Sequence, residues 1–131
     1  MTKPDFQLHH THIFASDIQA TLDWWQQHMG AKILADEILA ESRNVMISVG
    51  GGRINIYDQA PRGAGPGPVH HLGVRVRDLR AAWEKLQAAG ITSPKGLREI
   101  DDWRYVMVAA PDGILVELFE FDDPASPFNA E

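Results

Sequence analysis

The stretch that decides the fold is Leu8-His9-His10-Thr11-His12-Ile13-Phe14-Ala15-Ser16-Asp17. Three imidazoles fall within four residues, and an alternating run then ends on two short oxygen-bearing side chains. Residues 8–15 read as a strand, with His10, His12 and Phe14 on one face and Thr11, Ile13 and Ala15 on the other. Ser16 or Asp17 can cap a following helix, because a side-chain oxygen accepts the unpaired N–H groups of a first turn. Ile18, Thr21, Leu22, Trp25 and Met29 then form the stripe of a half-buried helix, closed by Gly30.

The same signal returns as Val69-His70-His71-Leu72-Gly73-Val74-Arg75-Val76-Arg77-Asp78. Residues 69–77 read as a strand and Asp78 as the cap. Leu79, Ala82, Trp83, Leu86 and Ala89 make the stripe, and Gly90 is the stop. His10 and His71, Asp17 and Asp78, and Ile18 and Leu79 are each 61 residues apart. The first copy continues with strand material at 31–34 and 36–40, a strand at 45–49, a turn at Gly50-Gly51-Gly52 and a strand at 53–57. The second continues with strands at 103–109 and 114–121 around the turn Ala110-Pro111-Asp112-Gly113. The first half reads β-α-β-β-β, and the constant offset of the repeat makes the second half the same β-α-β-β-β unit. One copy cannot cover both faces of its own sheet, so two should pair.

The expected organisation is one α+β domain: module one at 7–58, a Pro/Gly linker at 59–68, module two at 69–121, and a frayed polar tail at 122–131. A chain of 131 residues with 44% hydrophobic and 23% charged residues can bury a real core. The net charge of -6 offers no general basis for binding nucleic acid or an anionic membrane. With no cysteine, thiolate metal sites, disulfides and thiol nucleophiles are excluded. Residues 1–5 have no apolar signal-like core, and no run approaches the ~18 apolar residues of a membrane span, so a cytoplasmic location is expected.

His10 and His71 sit on the strand faces turned away from the helix-packing residues. In the last strand Val116 and Leu118 form the core face, so Glu117 points with the histidines. Two imidazoles and a carboxylate are the donor set of a 2-His-1-carboxylate metal site. His9 and His70 fall on the opposite face and read as structural. His12 shares the His10 face and is a candidate acid/base, as is Tyr105, whose strand register the sequence leaves open. Asn55, Tyr57 and Arg53 share a face of strand 53–57; with Arg75 and Trp103 they are candidate substrate-binding residues. Trp25 and Trp83 are core, and His28 is set aside.

Three stretches, His10 to Ile18, His71 to Leu79 and Pro111 to Leu118, resemble the vicinal oxygen chelate superfamily. It includes glyoxalase I, fosfomycin-resistance enzymes, extradiol dioxygenases and bleomycin-resistance proteins. The resemblance implies two paired βαβββ modules forming a U-shaped mixed sheet around a central cup. It also implies one divalent metal (Fe, Mn, Zn, Ni or Co) on His10, His71 and Glu117, a small-molecule substrate and a homodimer. Glyoxalase I and the epimerases use a fourth ligand, a glutamate, where this chain has Asn55; an amide is no strong proton acceptor. The expected function is a metal-dependent lyase or isomerase, glyoxalase-I-like, on a substrate that chelates the ion through vicinal oxygens. The alternatives are an Fe(II)/Mn(II) extradiol-type dioxygenase and a metal-free drug-binding protein. A fosfomycin-type transferase is a further variant, without a basic cluster for a phosphonate. Loops at 36–44 and 92–104 are expected to shape the substrate site.

Overall fold

The computed structural model describes residues 4–5, 8–39, 41–61 and 69–130. The chain divides into two compact units, Met1–Gly63 and Ala64–Glu131. Residues 62–68 of the expected linker, and most of the lead before Leu8, lie outside the described residues.

The first unit contains β1 (Thr11–Ala15), α1 (Ile18–Met29), β2 (Lys32–Leu39), β3 (Ser42–Val49) and β4 (Gly52–Asp58). Its strand order is β1-β4-β3-β2, with β1 parallel to β4 and the other pairs antiparallel. Asp17 caps α1 by accepting from the Ala20 N–H at 3.1 Å. Gly30 ends it at φ 65°, a left-handed conformation that glycine adopts without a Cβ penalty. Ile18, Leu22 and Trp25 of α1, Ile13 and Ala15 of β1, Val45 and Ile47 of β3, and Ile54 and Ile56 of β4 are all buried. Trp25 is fully covered, and Trp25→Ala should cost about 3–5 kcal/mol.

The second unit repeats this order with β5 (Leu72–Arg75), α2 (Leu79–Ala88), β6 (Arg98–Ile100), β7 (Trp103–Ala109) and β8 (Leu115–Phe121). Its strand order is β5-β8-β7-β6, again with only the first pair parallel. Asp78 caps α2 through the Ala81 N–H at 3.2 Å, and Glu120 of β8 takes the Leu79 N–H at 3.0 Å. Leu79, Trp83, Leu86, Val106, Val108, Val116 and Leu118 form this unit's core. Each unit is thus a βαβββ module, as the repeat predicts.

Four expectations are corrected. β1 and β5 begin at Thr11 and Leu72, so His9-His10 and His70-His71 precede the strands. Neighbouring side chains are therefore not forced to opposite faces, and His9 and His70 turn toward His10 and His71. Residues 36–39 and 42–44 are strand rather than loop, since the ends of β2 and β3 pair there, and Arg98–Ile100 is the short edge strand β6. The strand material expected at 31–34 and 36–40 is one strand over Lys32–Leu39, with a register shift between Ile33 and Ala35; Ala40 lies outside the described residues. Finally, the tail is tied down. Asn129 Nδ2 donates to the carbonyls of Phe121 (3.0 Å) and Asp123 (2.7 Å), and Phe128 stacks on Phe121. These contacts act against the tail's ordering entropy.

Candidate metal site

In the second unit, β8 has Val116 and Leu118 buried, which turns Glu117 to the opposite face. Pairing sets Gly73 of β5 on one side of Glu117 and Met107 of β7 on the other. His71, two residues before Gly73, brings its Nε2 to 3.9 Å from Glu117 Oε1. Both side chains are partly open to solvent, at 33% and 25% exposure. Gly73 leaves the space beside Glu117 clear, and a Cβ there would stand 3.4 Å from the Phe119 ring.

Two donors can share an ion at about 2.1 Å from each if they lie within about 4.2 Å of one another. The His71–Glu117 pair meets that condition, and imidazole plus carboxylate suits a first-row divalent ion. Within the second unit, among its described residues, no third His, Asp or Glu joins the pair. His10 belongs to the first unit, where it is exposed just before β1.

Each candidate ligand histidine has a partner that sequence reasoning missed. His9 Nδ1 lies 3.0 Å from His10 Nδ1, and His70 Nδ1 lies 2.8 Å from His71 Nδ1. The rings meet edge to face in both pairs, at 88° and 85°. The doubled His-His itself was the available signal; reading it as two strand faces concealed it.

The first unit breaks the symmetry. His12 sits beside Asn55 where the second unit sets Gly73 beside Glu117, and Met46 stands opposite Asn55 as Met107 does opposite Glu117. Asn55 Nδ2 donates to His12 Nδ1 at 3.3 Å, which leaves the His12 proton on Nε2. The His12 ring meets Tyr57 edge-on at 4.1 Å and Phe14 at 5.2 Å. Burial, then the nearby His10, lowers the His12 pKa from its ordinary value, which favours the neutral ring. Arg53 lies on the same face, two residues before Asn55. Asn44, opposite Tyr57, is buried with its Nδ2 lacking a partner among the described residues.

Register settles the facing of Tyr105. It pairs with Phe119 and so shares a face with Glu117, as does Arg75, also paired with Phe119. Trp103 stacks on Tyr105 (5.2 Å, 19°) and on Phe121 (5.0 Å, 7°), and Phe128 extends the stack on the other side of Phe121. The sequence marked Trp103 and Tyr105; Phe121 and Phe128 were overlooked, although the alternation Phe119-Glu120-Phe121 was visible.

Two βαβββ modules with an imidazole–carboxylate pair on the face away from the core define a class. The chain belongs to the glyoxalase/bleomycin resistance protein/dioxygenase superfamily, whose family model matches residues 7–118. Among solved structures, it is similar to a glyoxalase family protein from Enterococcus faecalis. That likeness has 25% identity and a TM-score of 0.71, covering 87% of this chain and 97% of the other. It is also similar to FosX, a genomically encoded fosfomycin resistance protein from Listeria monocytogenes, solved with Mn(II) and sulfate. Here identity is 16% and TM-score 0.69, with 87% and 91% coverage. An antibiotic binding protein from a Streptomyces species matches at 22% identity and TM-score 0.70, with 88% and 97% coverage. No curated protein matches the chain. Among the described residues, no helix is long and apolar enough to cross a membrane.

Proposed function

We propose that this chain is a divalent-metal-dependent enzyme of its superfamily, a lyase or isomerase on a small substrate with vicinal oxygens. The observation that carries the reading is His71 Nε2 facing Glu117 Oε1 at 3.9 Å on the sheet face away from the core. His10 is proposed as the third ligand. Mn(II) in a FosX structure of the same fold supports a metal site without fixing the ion here. When bound, the ion supplies Lewis-acid polarisation of the substrate's oxygens.

The chain's own residues do the rest. His12, neutral and with its proton on Nε2, donates a hydrogen bond to a substrate oxygen that gains negative charge. Asn55, tied to His12, orients that ring and does not act as a ligand. Tyr105 is the second proton carrier, from the face that holds Glu117. Arg75, Arg53, Tyr57 and Trp103 complete substrate binding. A homodimer in the cytoplasm is proposed as the working form.

Protein purified from metal-supplemented medium should carry one divalent ion per chain by elemental analysis, and His71→Ala and Glu117→Gln should lose it. A wild-type protein without stoichiometric metal overturns the reading. The stacked rings of Tyr105 and Trp103 on β7, Phe121 on Glu117's own strand β8 and Phe128 in the tail favour a planar ring in the substrate and support a second reading, an extradiol-type dioxygenase. O2 uptake with Fe(II)-loaded protein and a catechol panel separates the two; no uptake sinks the dioxygenase.

A further inference from the structure

We infer that His9 and His70 are positioning residues that hold His10 and His71 in the tautomer whose Nε2 is free to bind an ion. The inference rests on the metal-dependent reading above, and concerns residues outside the proposed ligand set.

A neutral imidazole has one N–H and one lone pair, and the hydrogen bond made by one nitrogen decides which is which. An imidazole can ligate through Nε2 only if its proton sits on Nδ1. In this chain the Nδ1 of His71 is 2.8 Å from His70 Nδ1, while its Nε2 faces Glu117. Of two Nδ1 atoms in contact, one must donate and the other accept. With His71 Nδ1–H donating, its Nε2 lone pair turns toward Glu117 and the ion; His70 then keeps its own proton on Nε2.

The same contact recurs in the other module at 3.0 Å between His9 and His10. Ring separations of 5.3 and 5.1 Å and near-perpendicular planes make the two pairs geometric copies. Both depend on the backbone entering the strand one residue later, at Thr11 and at Leu72. In a regular strand, adjacent side chains point to opposite faces and the rings could not meet. His9 and His70 are exposed and add little to the core, so packing does not account for the repeated contact. Groups that orient metal-binding histidines typically change affinity about 10- to 100-fold when removed.

The test compares His70→Phe and His9→Phe, which keep a ring but lose the acceptor, with His70→Asn and His9→Asn, whose Oδ1 replaces Nδ1. In metal-free protein with 15N-labelled histidine, NMR should find His71 protonated on Nδ1 in the wild type and in His70→Asn. His70→Phe should shift it toward the Nε2–H form, and His9→Phe should do the same for His10. Affinity for Mn(II) and Zn(II), measured by chelator competition, should fall about 10- to 100-fold in the Phe variants and stay within about threefold in the Asn variants. An unchanged His71 tautomer in His70→Phe overturns the inference, as does wild-type affinity in both Phe variants. Wild-type protein that binds neither ion, yet whose His71 tautomer shifts in His70→Phe, overturns the metal reading and supports the pairing.

Discussion

Arg104→Met removes the charge at the centre of an ionic network in the second unit and should destabilise the protein without touching the site face. Arg104 lies on the core side of β7 with its side chain 5% exposed. It forks onto Asp122 at 2.9 and 3.0 Å, reaches Glu120 at 3.2 Å and lies 3.3 Å from Glu99 through Nε. That Nε contact meets ion-pair distance but not hydrogen-bond alignment. Arg80 also binds Glu99, at 2.6 Å, and Glu120 takes the first N–H of α2. The network therefore ties the start of α2 to β6, β7 and β8. Breaking a buried pair from one side costs about 3–5 kcal/mol. Here Asp122 and Glu99 are 53% and 47% exposed, so they regain water and the cost drops to about 2–3 kcal/mol. For 131 residues unfolding as one transition, about 0.28 kcal/mol corresponds to one degree, so Tm should fall by about 7–11 °C. Thermal and urea melts followed by circular dichroism measure this.

The pH dependence gives a second reading of the same variant. The Arg104 hydrogen bond lowers the Asp122 pKa below its ordinary 3.8. A carboxyl whose folded pKa lies below its unfolded one contributes stability above the unfolded value, and loses it as pH falls through the folded value. The gap between wild type and Arg104→Met should hold from pH 5 to 7 and narrow below about pH 4. A Tm loss under 2 °C, or a gap that widens in acid, would refute the argument.

Three further outcomes follow from the geometry. Asp17→Ala should cost about 1 kcal/mol in urea unfolding, and Asp78→Ala less, because Glu120 still serves the first turn of α2; equal costs would show that Glu120 adds nothing. His12→Ala should lower kcat by about 100-fold or more with metal content unchanged; loss of the ion would instead make His12 a ligand. Phe128→Ala should cost about 0.5–1.5 kcal/mol and alter the near-ultraviolet circular dichroism of the Trp103 stack, whereas an unchanged spectrum would mean the tail does not bear on it.

Much of the module was legible because its signals are local. Asp17 and Asp78 announce helix starts by their own chemistry, Gly30 and Gly90 sit at positive φ where Cβ is costly, and the helical stripes point to Trp25 and Trp83. The alternation Val116-Glu117-Leu118 placed Glu117 on the face opposite the core, as observed. Strand starts were less legible. Nothing in residues 8–11 states where pairing with β4 begins, since that depends on a partner some forty residues away. The facing of Tyr105 was hidden for the same reason: register against Phe119 is a long-range property.

The sequence by itself determined that this chain builds the same βαβββ unit twice, because capping, periodicity and turn chemistry act over a few residues. It also supplied two imidazoles and a carboxylate as candidate ligands, with Glu117 on the turned-out face of its strand. Tertiary structure alone decided what each histidine touches. Hydrogen bonds need heavy atoms within about 3 Å, a condition set by register and strand boundaries. That is why the run His9-His10-Thr11-His12 resolves into a ring pair, His9 with His10, and a separate contact of His12 with Asn55 and Tyr57.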